Sequence, residues 1–181
     1  MNQGERLVAA LERIASARRA LVQSVATRHG MSVLQVEIVR HLASVPTPVL
    51  GSELAVEFAV SAPTVSDAAR ALMGKGLVEQ VAGPDRRTRA FVLTPAGAEL
   101  ARAIAESLAP FAEAAAEAGD EALVSALAVI RGLWRHGLLT VDRSCATCLH
   151  HEPGPGAGRC ALMQVDLTPL TLRVDCPEHA A

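Results

Sequence analysis

Residues 51–79 read GSELAVEFAVSAPTVSDAARALMGKGLVE, and residues 84–100 read PDRRTRAFVLTPAGAEL. Ser52 suits the N-cap of a short helix that ends near Phe58, because its hydroxyl can accept from a free first-turn amide. Val60 leads into Ser61, a second N-cap residue, and Pro63 falls in a first turn, where its missing N–H costs little. Val65, Ala69 and Leu72 then recur at helical spacing as the buried face, until Gly74 and Gly76 weaken and end the helix. Leu77 to Val81 and Ala90 to Leu93 are strand-like, with a turn over 82–89 between them. Two short helices on a tight turn, followed by a hairpin, make a winged helix-turn-helix.

Such a unit places its second helix in the major groove with the N-terminal residues against base edges. Here that helix runs from Ser61 to Gly76 and opens with small and hydroxyl side chains, which allow close approach. Asp85, Arg86, Arg87 and Arg89 sit at the hairpin tip, where arginines suit phosphate and narrow-groove contact. Ser61 caps its helix whatever else it does. Taken alone, the tip arginines fit a solvated turn as well as a DNA contact. The helix pair before them and the Leu-Thr-Pro exit after them favour DNA.

Outward from this core the chain is helical. Leu7, Leu11, Ile14, Leu21 and Val25 mark an amphipathic helix over roughly 4–28, closed by His29-Gly30. Leu34, Ile38 and Leu42 mark a second helix over 33–42, and Pro46 and Pro48 break the chain before a short strand at Val49-Leu50. Thr94-Pro95 opens a fifth helix with Leu100, Ile104, Leu108 and Phe111 on one stripe and a kink expected at Pro110. After Gly119-Asp120, Leu123, Leu127, Ile130 and Trp134 mark a sixth helix, which Gly137 ends. The expected fold is therefore mainly α with a small β-wing. Residues 1–139 form its main domain, with the DNA-binding lobe at 33–97 and dimerisation helices at 1–30 and 98–139. Residues 140–181 form an appended cysteine-rich module.

The order and wording of the two quoted stretches resemble the MarR family of regulators, in motifs from about residue 33 to 104 and in helix order from 4 to 138. The more specific part is a Leu-Val strand, an Asp-Arg-Arg wing and a Leu-Thr-Pro-x-Gly exit in that order. The resemblance implies a homodimer on a pseudo-palindromic operator, built through the N-terminal helix and the last two helices. It implies that Ser61, Thr64 and Ser66 face DNA and that Arg86, Arg87 or Arg89 makes the wing contact, with Asp85 orienting a wing arginine. It also implies a small-molecule inducer and a role as repressor. Two departures bear on specificity. Asp67 stands where such proteins often carry a basic residue, and Ala62 and Pro63 replace longer polar residues. An acid there repels phosphate but can accept from cytosine N4. Arg70 and Lys75 remain as backbone contacts beside Pro63.

All four cysteines lie in the last module. Cys145, Cys148, Cys160 and Cys176 give the pattern C-x2-C-x11-C-x15-C. C-x2-C lets two thiolates grip one ion, and two more complete a tetrahedron. The expected occupant is zinc, ahead of an iron–sulfur cluster, with metal-free redox thiols third. The spacing loosely resembles that of high-potential iron–sulfur proteins, but this tail has no aromatic residue to surround a cluster. His150 and His151 read as exposed tail residues, and the Pro/Gly-rich run 150–158 as neither helix nor strand. His179, three positions after Cys176, could replace one thiolate.

Composition limits the alternatives. Half of the residues are hydrophobic, yet there are three Phe, one Trp and no Tyr, so the core is aliphatic. The net charge of −2 rules out a uniformly basic nucleic-acid coat; residues 1–50, with six Arg against three Glu, carry the positive lean. The N-terminus has no apolar secretion core, and no apolar run reaches membrane length, so a cytoplasmic protein is expected. An enzyme would need Cys145 and Cys148 at a helix N-terminus in a thioredoxin-like unit. Leu138-Leu139-Thr140-Val141 is too short a strand for one, and no hydrolase elbow, phosphate loop or carboxylate pair is present. The sequence therefore points away from catalysis. A third reading, an interaction module that no longer binds DNA, rests on Asp67 and the balanced charge.

Overall fold

The computed structural model describes residues 2–83, 88–139, 142–168 and 171–180. Two compact units divide the chain, Met1–Ala112 and Glu113–Ala181.

The first unit begins with α1 (Gln3–Arg28), capped by Asn2, whose side chain accepts from Glu5 N while the Glu5 carboxylate accepts from Asn2 N. Only the C-terminal end of this helix is buried, at Val22, Val25 and Ala26. Ser32 and Gln35 form the same reciprocal cap on α2 (Val33–Ser44), which buries Val36, Ile38, Val39 and Leu42. Glu37 on α2 holds both Arg18 of α1 and Arg40 of its own helix.

The strand β1 (Val49–Leu50) passes directly into α3 (Gly51–Glu57). Ser52 is therefore not the N-cap expected from the sequence. Leu50 takes that place, because it is still paired with Ala90 in the sheet, and the Glu53 carboxylate accepts from its amide at 2.7 Å. Ala59 turns the chain with φ of 50°, and Val60 N donates to Ala55 O at 3.0 Å. This left-handed closure of α3 aims the next helix, α4 (Ala62–Gly74). Val65, Ala68, Ala69 and Leu72 of α4 are buried against Leu54 and the α2 residues in one core.

β2 (Val78–Ala82) and β3 (Arg89–Leu93) pair antiparallel from Val78↔Leu93 to Ala82↔Arg89, and β1 joins the other side of β3. Thr94 then locks the hairpin to α5 (Pro95–Ala116). Its amide donates to Leu77 O, its hydroxyl donates to Gly76 O at 2.7 Å, and Thr94 Oγ1 in turn accepts from Gly97 N. A β-carbon on Gly97 would stand 1.9 Å from Leu77 O, which is why the exit reads Leu-Thr-Pro-x-Gly. The α5 helix continues through Pro110.

The second unit contains α6 (Asp120–Arg135) and a three-stranded antiparallel sheet of two-residue strands, β4 (His151–Glu152), β5 (Arg159–Cys160) and β6 (Val165–Asp166), in that order. The strand at His151–Glu152 corrects the reading of 150–158 as wholly irregular. Gly158 makes the pairing possible, since its φ is 84° and a β-carbon there would meet Glu152 O at 2.4 Å. The expected boundary at 139/140 marks where long helices stop. The compact unit begins earlier because Arg131 of α6 donates to Ala146 O and to the ring of His151.

Candidate nucleic-acid interface and cysteine centre

The second helix of the helix-turn-helix is built to present its first two turns. Ser61 caps α4 by accepting from Thr64 N, and the two hydroxyls lie 2.7 Å apart. Pro63 occupies the first turn. Ser61, Ala62, Pro63, Thr64, Ser66 and Asp67 are all exposed, while Val65, Ala68 and Ala69 face the core. Thus Ser61, Thr64 and Ser66 form one hydroxyl-bearing face. The hydroxyl contact between Ser61 and Thr64 preorganises that face, leaving Ser66 the hydroxyl without such a tie in its neighbourhood.

Asp67 and Arg70 neutralise one another. The guanidinium donates to the carboxylate at 2.7 Å, one helical turn along the exposed surface. Arg70, expected as a backbone contact, and Asp67, expected as a repulsive acid, pair with one another on the exposed face of the free chain. Lys75, expected as a second backbone contact, caps the C-terminus of α4, and its ammonium also donates to Gly30 O. Two of its three donor hydrogens remain for another partner. Arg89 is exposed at the start of β3, opposite Ala82. Asp85, Arg86 and Arg87 lie outside the described residues. Gly83 N donates to Thr88 O at 3.0 Å, so the hairpin stays paired up to the edge of the tip.

The fold and this face make the comparison with known proteins specific. Residues 29–88 match the model of the MarR family. Over that segment the chain is similar to the MarR family. The similarity runs through α2, β1, α3, α4 and β2, which hold the helix pair and the first strand of the hairpin just described. Among solved structures, the chain is similar to the transcriptional regulator PA3341, with 25% identity, a TM-score of 0.63, and coverage of 72% of this chain and 98% of that one. It shares its fold with NadR in complex with 4-hydroxyphenylacetate, at 20% identity and TM-score 0.57, covering 78% and 95%. It also shares it with a mutant of MepR from S. aureus bound to an oligodeoxyribonucleotide, at 16% identity and TM-score 0.50, covering 74% and 98%. No curated protein sequence matches the chain.

The four cysteines lie outside the segment matched to the MarR family. All are free thiols, and all four line one hollow of about 400 Å3 in the second unit. Asp142 orders the first pair. Its carboxylate accepts from Ser144 N, from Ser144 Oγ and from Thr147 Oγ1, each near 3 Å. Ser144 is fully buried, and its hydroxyl accepts from Ala146 N. Cys145 and Cys148 therefore sit in a tight turn rather than at a helix N-terminus. The reactive placement that a dithiol oxidoreductase requires is not the one this pair has.

Cys176 is brought alongside Cys145 by the backbone. Cys145 N donates to Arg173 O, and Cys176 N to Arg143 O, both at 2.9 Å. Cys160 arrives on β5, paired with His151 on one side and Val165 on the other. His151 was expected to be an exposed bystander. It is half-buried, with Nε2 donating to Ala157 O at 2.8 Å and Nδ1 accepting from Arg131 at 3.1 Å. His179 Nε2 meets Thr147 Oγ1 at 3.1 Å, in line with Asp142. Asp142, Ser144, Arg131 and Arg173 were missed in the sequence, because each acts through backbone or side-chain neighbours that no spacing rule connects. Among the described residues, no group of three or more His, Cys, Asp or Glu is placed to hold a metal ion.

Proposed function

We propose that the chain is a transcription regulator that binds duplex DNA as a homodimer, with α4 in the major groove and the β2–β3 hairpin on the flanking backbone. The exposed Ser61, Thr64 and Ser66 face of α4, within the segment similar to the MarR family, is the observation that carries this reading. Hydroxyls of this kind pair with either donors or acceptors on base edges, and they leave room for the helix to approach. Arg89 at the base of the wing supplies sequence-independent affinity. The structure of a MepR mutant bound to an oligodeoxyribonucleotide supports the DNA role by likeness of fold.

Dimerisation follows from α1. Leu7, Val8, Leu11 and Ile14 are between 36% and 54% exposed along its first half, an apolar stripe that a second copy would cover. Two-fold symmetry then sets two half-sites about one helical turn apart. Repression relieved by a small molecule is the mode of action we favour, supported by the hydroxyphenylacetate complex of NadR. No described helix is long and apolar enough to cross a membrane, and the proposed site of action is the cytoplasm.

Fluorescence anisotropy with duplexes from the protein's own promoter region tests the reading. Arg89→Ala should weaken all duplexes alike, whereas Ser66→Ala should alter the ranking of sequences. Equal, weak binding of every duplex by the wild-type protein would overturn the proposal and leave an interaction module.

A further inference from the structure

The second unit brings four thiols to one hollow from three separate pieces of chain. The Asp142-ordered turn delivers Cys145 and Cys148, β5 delivers Cys160, and the segment tied to Arg143 delivers Cys176. The hollow measures about 400 Å3 and is lined besides by Leu162, Met163, Leu167 and Leu172 and by polar residues that include His150, Arg173 and Glu178. Leu167 is 5% exposed.

Two features of this wall distinguish between occupants. One zinc ion held by four thiolates at about 2.3 Å would draw the sulfurs onto a point. Such a point needs no hollow between the thiols, whereas these four line one of about 400 Å3. A polynuclear cluster is a body in itself, whose irons and sulfides keep the cysteine sulfurs apart, and a hollow of this size suits it. The second feature is the pair of N–H groups aimed at the sulfurs. Arg173 N donates to Cys145 Sγ at 3.3 Å, and Arg173 Nη1 to Cys176 Sγ at 3.8 Å. N–H groups and nearby positive charge are levers on the potential of a cluster.

Both ring nitrogens of His151 are committed, to Ala157 O and Arg131, and His179 Nε2 is committed to Thr147. His150 also lines the hollow, but the four sulfurs are enough to hold a cluster.

We propose that Cys145, Cys148, Cys160 and Cys176 hold one [4Fe–4S] cluster and that Arg173 is a positioning residue that raises its potential. The sequence spacing alone ranked zinc first; the size of the hollow that the four thiols line reverses that order. This assignment stands independently of DNA binding. Loading by ligand exchange is balanced: a preformed cluster carrying four small thiolates passes to the protein, four cysteine thiols lose their protons, and four small thiols leave with them.

The test uses the full chain, purified without oxygen. Metal and acid-labile sulfide are measured as purified, and again after incubation of stripped protein with that small-thiolate cluster. About four irons and four sulfides per chain, as the cubane requires, with a visible charge-transfer band, are expected after gel filtration. Cys148→Ser should lose the band. Because loss of a ligand can also unfold the unit, Arg173→Gln provides a second reading: iron content unchanged, midpoint potential lowered. One zinc per chain without labile sulfide would overturn the cluster, as would two irons per chain or four freely titratable thiols in protein that takes up no iron. An unchanged potential in Arg173→Gln would overturn the role of Arg173.

Discussion

Gly97 packs with its Cα against the carbonyl of Leu77, and a β-carbon would reach to 1.9 Å of that oxygen. The contact is to backbone that is also holding Thr94 N, so neither partner can swing aside. Gly97→Ala should cost about 1–3 kcal/mol, the usual range for forcing extra atoms into a closed site. A urea denaturation midpoint equal to wild type would refute this account of the Leu-Thr-Pro-x-Gly exit. Asp67 makes a prediction about binding. Its ion pair with Arg70 is 69–72% exposed, so it adds little stability, but it withholds one positive charge from phosphate. Asp67→Ala should tighten duplex binding and steepen its salt dependence by nearly one counterion. Unchanged slopes in a salt titration would show that Arg70 never meets the backbone. At this scale the sequence was legible where a residue acts on its immediate neighbours, as Ser61 does as a cap. It was illegible where the partner is distant, as Arg173 is from Cys145, or where an adjacent pair cancels, as Asp67 and Arg70 do.

The helices were readable because apolar residues recur over many turns. Val65, Ala69 and Leu72 of α4 and Ile38 and Leu42 of α2 are buried as their spacing implies, while Leu34 is half-buried. The strands β4, β5 and β6 were not readable, since two residues carry no period; their pairing depends on Gly158 and on bonds from Ala161 N to His150 O and Leu167 N to Gly158 O. The N-cap of α3 was misread because Ser52 looks like a cap in isolation, whereas sheet pairing of Leu50 fixes where extended chain ends. The α1 helix extends well beyond the core of its own unit. Its stripe of Leu7, Leu11 and Ile14 is exposed, although its spacing is that of a buried face. If a second copy covers it, Leu11→Glu should place a charge in the interface and shift the protein from dimer to monomer at micromolar concentration, with helix content retained. Sedimentation showing an undiminished dimer would move the interface away from α1.

The two compact units differ in how they are held. The first has a continuous aliphatic core from Val22 to Ile104. The second, among its described residues, buries few side chains, chiefly Leu127, Ser144, Leu167 and Cys176. Burial of that extent is too small to order a chain of such length, because fixing each residue costs about 1–2 kcal/mol of conformational entropy. Backbone ties such as Leu149 N to Ala180 O and the Asp142 turn shape the unit, but hydrogen bonds contribute only about 1 kcal/mol each once water is considered. The proposed centre would add to these ties, since metal binding is worth on the order of 10 kcal/mol in small thiolate peptides. If the four thiols hold such a centre, its loss should act on one unit and spare the other. Hydrogen exchange on the full chain, with and without a strong chelator, should show amides of residues 144–176 exchanging at least about 100-fold faster after stripping, a change of about 2.7 kcal/mol. Amides of α2, α4 and the start of α5 should keep their protection. Uniform loss of protection across both units would mean that the winged domain depends on the metal. Unchanged exchange in 144–176 would mean that the cysteine unit is ordered without any metal.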